Sequence, residues 1–437
     1  MHPTRSPRTT AQGLDPNKNG QRHIVIGITS AQTCLNLTGR LHALREAGFR
    51  VTLISSPGEL LDRTAAREGI AAIAVPMCRE IAPFSDLVAL ARLVWLLLRL
   101  RPDLAEFSTP KAGLLGSIAA LLAGVPVRVY MLRGLKLETA SGWKRKLLLA
   151  AERVSAACAH VVLCNSQSMR AEALAMGLAP AAKLDLLGDG SSNGVDVERF
   201  SPGRDSELRM KLGIPGAAPV VGFVGRLTRD KGVPELIEAF DVILKRQPQA
   251  HLLLVGWFDE AEDALSRSIR ARIACHPHIH CTGFVSDTAP YYRTMDVMVL
   301  PTWREGFPNV VLEAAASGVP VVTTLATGSR DSVLPEVTGL LIPPGYPQAI
   351  SESVLRLLGD SARLEKMGQA ARAWICRRYA DYLVLGMAVS FYKRILSQAP
   401  IAAVSAERPA PGARAAAARL LACARAPLRA THKAYVK

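Results

Sequence analysis

Short apolar runs alternating with stretches of helical period, twice over, constrain this chain more than any other feature. HIVIGIT (His23–Thr29) and FRVTLIS (Phe49–Ser55) are apolar at most positions, as strands are in a sheet covered on both faces. Between them LTGRLHALREAG (Leu37–Gly48) has the period of a helix closed by Gly48. The rhythm continues through GIAAIAVP (Gly69–Pro76), a helix over Leu87–Leu100, and LAEFST (Leu104–Thr109) leading into PKAGLLGSIAALLAG. VPVRVYMLRG (Val125–Gly134), a long helix from near Trp143, HVVLCNS (His160–Ser166) and AKLDLLGDG (Ala182–Gly190) complete the first half. SSNGVDVERFSPG (Ser191–Gly203) leaves the pattern and reads as an interdomain linker. The alternation returns from Pro219 to about Arg378, and a last helical stretch spans Asp381–Leu396. Strand–helix–strand order of this kind demands parallel sheets, so the fold class is α/β. At 437 residues the chain holds two such domains with full cores.

Composition narrows the partners. The eight cysteines show no C-x-x-C pair and no regular spacing, which fits reduced thiols in the cytoplasm. CHPHIHC (Cys275–Cys281) offers possible zinc ligands, but structural sites draw theirs from two separated pairs, so no metal is expected. Residues 1–21 read as a polar flexible leader rather than a signal peptide. The most apolar stretch, Leu87–Leu100, contains Arg92 and Arg99 and is too short to span a bilayer. Net charge is +16, unevenly placed. Residues 1–210 carry 26 basic and 18 acidic side chains, residues 211–399 carry 20 and 18, and the tail from Pro400 carries 7 and 1. No aromatic-interleaved basic patch suggests nucleic acid, whereas an anionic membrane surface suits clustered Lys and Arg. Trp143, Lys144, Arg145 and Lys146 open an amphipathic helix that would lie on such a surface, or pack on the sheet with a solvated basic first turn. The Ala/Arg-rich tail, 400–437, reads as disordered, or as helical only when bound to something acidic. The expected location is cytoplasmic and peripheral to the inner face of the membrane.

Two motifs carry chemistry. In VLPTWREGFPNVVLEAAASGVPVVTT (Val299–Thr324), Glu305 lies in a loop closing an apolar strand, and Glu313 lies in the helix after Pro308. Proline near a helix start and the small residues Ala314–Gly318 make that N-terminus approachable. A loop carboxylate beside free helix N–H groups suits a sugar carrying a phosphate, with Glu305 on hydroxyls and Glu313 on a second polyol such as ribose. Alone, E-x7-E could equally be carboxylates serving the helix dipole. Upstream, VVGFVGRLTRDKG (Val220–Gly232) is a strand, a turn at Gly225 that admits close approach, and the cations Arg226 and Lys231, suited to two phosphates. Alone it could be a solvated basic turn, and it lacks the G-K-[ST] order of a P-loop.

Together, about seventy residues apart, these motifs resemble the nucleotide-sugar half of family-4 retaining glycosyltransferases. The resemblance runs from about Gln21 to Leu396 and includes the NGVD-x-x-x-F-x-P pattern at the domain junction. It implies two facing Rossmann-like domains, the GT-B arrangement, with the active site in the cleft between them. The acceptor side would be 22–200, the nucleotide-sugar side 201–380, and 381–399 a helix returning to the first domain. By this resemblance Arg226 and Lys231 contact the donor diphosphate and Glu313 the ribose, while Glu305 meets donor-sugar hydroxyls. The backbone of Gly306, Phe307, Pro308, Asn309 and Val310 lines sugar and distal phosphate. Gly256 marks the next ligand-facing turn, and the backbone at Phe284 and Val285 meets the base. The catalytic set is then Glu305, Arg226 and Lys231, with no cofactor. No D-x-D occurs, so positive charge opposite the diphosphate falls to the two cations. On the first domain Lys111 and Arg133, at strand carboxyl ends, are the acceptor-side candidates. Many relatives carry a histidine near these ends, where this chain has Ser108 and Arg133, and TSAQTCLNLTG lacks their glycine pair. The function implied is transfer of a hexose from a UDP-sugar to a lipid-linked or polysaccharide acceptor, with retention. Rival readings are a same-fold transferase or epimerase acting on a soluble sugar, and a non-catalytic nucleotide-sugar-binding protein.

Overall fold

A computed structural model of the protein describes residues 20–78, 82–260 and 263–398. Residues 1–19 of the leader and the whole of the 400–437 tail lie outside the described residues. The first unit runs β1 (His23–Gly27), α1 (Arg40–Glu46), β2 (Arg50–Ser55), α2 (Glu59–Glu68), β3 (Ala71–Ala74), α3 (Pro83–Leu100) and β4 (Leu104–Ser108). It continues with α4 (Pro110–Leu122), β5 (Val127–Leu132), α5 (Gly142–Cys158), β6 (Val161–Cys164), α6 (Gln167–Ala175) and β7 (Leu184–Leu186). The second runs α7 (Ser206–Lys211), β8 (Val220–Val224), α8 (Val233–Arg246), β9 (His251–Val255), α9 (Arg267–Cys275), β10 (Ile279–Cys281) and α10 (Ala289–Tyr292). Then come β11 (Val297–Leu300), α11 (Asn309–Ala316), β12 (Val321–Thr324), β13 (Gly339–Ile342), α12 (Pro347–Leu358), α13 (Ser361–Arg378) and α14 (Asp381–Gln398).

Both sheets are parallel, in the orders β3-β2-β1-β4-β5-β6-β7 and β10-β9-β8-β11-β12-β13. The chain moves outward from β1 to β3, then crosses to β4 on the other side. The second sheet does the same from β8 to β10 and back to β11, so each has a switch point where strand carboxyl ends open a crevice. These central strands are buried at every position because helices cover both faces. This is the GT-B pattern of two Rossmann-like domains.

Helix ends follow local chemistry. Ser166, Asp205, Ser266 and Asp360 cap α6, α7, α9 and α13 through their side-chain oxygens, and proline opens α3, α4 and α12. The single helix read over Leu37–Gly48 is instead a 3-10 turn, Ala31–Leu37, followed by α1 from Arg40. Gly39 at φ 77° breaks the path between them. α3 begins at Pro83, earlier than the apolar run from Leu87 suggests. In α5, Leu148 and Leu149 pack toward the core around Tyr130 while Leu147 stays exposed, so the helix both packs and presents an outer face. Among the described residues no group of His, Cys, Asp or Glu could hold a metal. The CHPHIHC histidines are used otherwise: His280 hydrogen-bonds His251 at 2.8 Å and His278 stacks on it at 4.6 Å.

The two units are tied by specific polar contacts. At the start of α6, Ser168 donates to Asp331 through both its amide (2.7 Å) and its hydroxyl (2.6 Å), and the Gly328 amide donates to Ser168 Oγ. α14 returns to the first unit, burying Phe391, Tyr392 and Ile395 with Leu41 and Leu44 of α1. Arg394 pairs with Asp185 at 2.7 Å and Arg378 with Asp189 at 2.5 Å, closing the junction from outside.

Candidate active site

The turns after β8, β9, β11 and β12 meet at one edge of the second sheet. A Cβ added at Gly256 would stand 1.8 Å from the Gly225 carbonyl oxygen, so only glycine lets these two turns touch. Gly225 and Leu227 donate to the carbonyls of Val255 and Trp257, extending the pairing past the strand ends. A bridge between Gly256 and Gly283 brings in the turn after β10, where the exposed Phe284 ring meets Trp257 edge-on at 5.4 Å. Val285 is partly buried beside it.

Arg226 and Lys231 do not point side by side. Arg226 donates to Asp259 at 2.8 Å and stands 3.8 Å from Asp230. Burial pulls its pKa down, but Asp259, Asp230 and Glu305 more than offset this, so the guanidinium is held above its ordinary value. Asp230 also accepts from Thr228 (2.6 Å) and Arg304 (2.8 Å); burial pushes its carboxyl up, and Lys231 with these partners brings it below the usual range. Lys231 pairs directly with Glu305, the two side chains each 16% exposed. The two motifs read separately along the chain are thus joined by one ion pair. Three cations (Arg226, Lys231, Arg304) here face four carboxylates (Asp230, Asp259, Asp263, Glu305), so this wall carries no surplus of positive charge.

Beyond Glu305 the chain is held by close backbone packing. A Cβ at Gly306 would stand 1.8 Å from the Arg133 carbonyl oxygen of the first domain. Phe307 is buried against Tyr379, ring centroids 5.3 Å apart, and Pro308 leads into α11 with Asn309 and Val310 half-buried at its start. Glu313 is engaged by α10 and the residue before it, accepting from Tyr292 Oη at 2.8 Å and Thr288 Oγ1 at 3.4 Å. Burial raises its pKa despite these two donors.

The family models match along both halves: residues 38–190 fit the glycosyl transferase 4-like domain and residues 218–360 the glycosyl transferases group 1. The chain is 33% identical over 371 residues to the capsular polysaccharide biosynthesis glycosyltransferase CapM of Staphylococcus aureus, covering 85% of this chain and 97% of that protein. It belongs to the group 1 glycosyl transferases. An Escherichia coli relative, a UDP-Gal:alpha-D-GlcNAc-diphosphoundecaprenol alpha-1,3-galactosyltransferase, is 27% identical over 67% of this chain and 76% of its own. The crystal structure of Anabaena Alr3699/HepE in complex with UDP and glucose superposes with a TM-score of 0.68 at 22% identity, covering 86% of this chain and 99% of that one, a likeness of fold.

On the first domain of this glycosyltransferase the sequence candidates separate. Arg133, following β5, lies against Gly306 and donates to Ser192 Oγ at 3.1 Å. Lys111 turns instead to α3, pairing with Asp86 at 2.7 Å. Ser108 is buried, and the next residue, Thr109, holds φ 71°, unusual for a β-branched side chain, with its hydroxyl 2.6 Å from that of Thr29. Ser191 is likewise left-handed, at φ 67°, in the linker. Sequence reading missed Asp230, Asp259, Arg304 and Ser192. R-L-T-R-D-K places Asp230 beside the cations and W-R-E-G places Arg304 beside Glu305, signals that were there; Asp259 and Ser192 come from other segments, and nothing local ties them to this site.

Proposed function

We propose that this glycosyltransferase moves a hexose from a UDP-sugar onto a lipid-linked or polysaccharide acceptor, with retention of configuration, in cell-surface polysaccharide biosynthesis. The observation carrying this reading is the Lys231–Glu305 ion pair beside Gly306 and the start of α11. That arrangement offers a cation for a phosphate, a carboxylate for sugar hydroxyls and backbone N–H groups for oxyanions within one turn of chain. We take 22–200 as the acceptor-side domain and 201–380 as the donor-side domain.

In this reading the base lies by Phe284 and Val285 near Gly256, Glu313 holds the ribose, and Arg226 and Lys231 face the diphosphate. As the glycosidic bond to the nucleotide breaks, negative charge grows on the leaving phosphate, and prepositioned cations stabilise it without reorganisation. The carboxylates around them hold those cations in place beforehand. A donor phosphate oxygen accepts the acceptor's proton on the same face from which the leaving group departs, which gives retention without a protein nucleophile. Lys111 and Arg133 are the acceptor-side candidates, and for Lys111 release from Asp86 is required.

Peripheral attachment to an anionic membrane belongs to the same reading. Its support is the exposure of Phe84 (91%) and Trp143 (74%) at the starts of α3 and α5, with Lys144, Arg145 and Lys146 beside the latter. Helices in a parallel α/β unit begin at the strand carboxyl ends, so both residues flank the cleft edge. Among the described residues no helix is long and apolar enough to cross a membrane. Proton NMR of the first-formed product tests the mechanism: an anomeric signal matching the donor's configuration supports retention, and the opposite anomer overturns it.

A further inference from the structure

Arg133, at the domain junction, makes no direct ion pair among the described residues. Its Nη1 reaches Ser192 Oγ at 3.1 Å, a neutral partner, while Nε and Nη2 are buried and make no hydrogen bond. Close behind it, Arg40 of α1 pairs with Glu106 of β4 at 2.9 Å, both side chains 0% exposed, and Tyr392 of α14 hydrogen-bonds both. Two guanidiniums therefore share one carboxylate. Burial lowers the Arg133 pKa to about 10, with the Arg40 charge adding to the effect, so at neutral pH it remains protonated. A buried charge lacking a partner destabilises the fold that holds it. Its retention here needs a compensating gain.

The position supplies one. The Arg133 carbonyl touches Gly306, next to Glu305, so this residue stands where the first domain meets the donor motif. Arg226, Lys231 and Arg304 on that side are each engaged by carboxylates, whereas Arg133 makes no ion pair among the described residues.

We propose that Arg133, steadied by Ser192, binds a diphosphate oxygen of a substrate in the cleft. The ligand class is an organic diphosphate, which two sources supply: the nucleotide of the donor, or the diphosphate linking an acceptor glycan to its lipid. The assignment takes its ligand from the nucleotide-sugar reading, while its charge argument stands apart from that reading. Arg133→Met keeps the length of the side chain and removes the unpaired charge, so the free protein should melt no lower than wild type.

Calorimetric titrations of wild type, R133M and R133K with UDP, UMP, farnesyl diphosphate and farnesyl monophosphate test it. The expected result is a selective loss in R133M, about tenfold or more for one diphosphate and under about threefold for its monophosphate. R133K should recover part of that loss. Loss confined to the UDP–UMP pair assigns the donor, and loss confined to the farnesyl pair assigns the lipid-linked acceptor. Equal weakening of mono- and diphosphates, or no weakening, overturns the proposal and leaves Arg133 a structural residue. Failure of wild type to bind UDP overturns the nucleotide-sugar reading instead, and the farnesyl pair still decides Arg133.

Discussion

Replacing Lys231 by alanine should cripple turnover while leaving the protein folded. Lys231 and Glu305 are each 16% exposed and paired, so the ammonium sits in a poorly screened site. On the proposed role, its loss should remove one charge-assisted contact to the developing phosphate charge, on the order of 2–4 kcal/mol of transition-state stabilisation. That corresponds to roughly a 30- to 900-fold fall in kcat/KM. The same change leaves Glu305 without its partner, costing the fold about 1–3 kcal/mol, which a domain with about 5–15 kcal/mol of stability survives. Release of UDP from the donor measures the first effect and thermal melting the second. Because Lys231 and Glu305 touch each other, the double change with Glu305→Gln should cost less than the sum of the two singles by about 1 kcal/mol or more. Turnover within twofold of wild type in a folded Lys231→Ala protein would refute the reasoning, as would strict additivity.

Further outcomes follow from individual groups. Glu305→Gln should depress turnover strongly and alter donor preference, whereas Glu313→Gln should mainly weaken free UDP; calorimetry giving the reverse ranking contradicts the division of labour. Glu152, buried and accepting from Tyr130 Oη at 2.5 Å, has its pKa raised by burial from 4.5 to about 7. A carboxyl raised on folding favours the native state while protonated, so stability from this group is complete below about pH 4.5 and is lost as pH rises through about 7. Glu152→Gln should flatten that part of the stability–pH curve, a difference of about 3 kcal/mol, and an unchanged curve by denaturant unfolding counts against it. Neutralising Lys144, Arg145 and Lys146 should reduce co-sedimentation with anionic vesicles, each charge contributing about 1 kcal/mol, and high salt should do the same. Equal pelleting with neutral lipid removes that reading.

What the sequence made legible was the part set by local pattern. Continuous apolar runs such as Val220–Val224 and Val297–Leu300 can only be buried strands, and their order compels parallel sheets. Turn glycines such as Gly225 and Gly256 announce a close approach, although not that they meet each other. What stayed hidden was pairing across long separations. Lys231 and Glu305 are 74 residues apart, and Glu106 meets Tyr392 across 286. Nothing local tells which carboxylate a cation will choose, so Lys111 looked free in sequence and is held by Asp86. The start of α1 was misjudged for a related reason: Leu37–Gly48 has a helical period throughout, but Gly39 takes a left-handed turn inside it. The histidines of CHPHIHC were not expected to hold a metal, but nothing local showed that β9 supplies His251 as their partner.

The central claim is that the cleft receives a nucleotide sugar and breaks its glycosidic bond. Incubating the purified 437-residue chain with a panel of UDP-, GDP- and ADP-sugars, without acceptor, and following nucleotide diphosphate release tests it most directly. The account predicts slow hydrolysis of one UDP-sugar above the others, abolished in Lys231→Ala. Release from none of the panel, or an equal rate in wild type and Lys231→Ala, would contradict it.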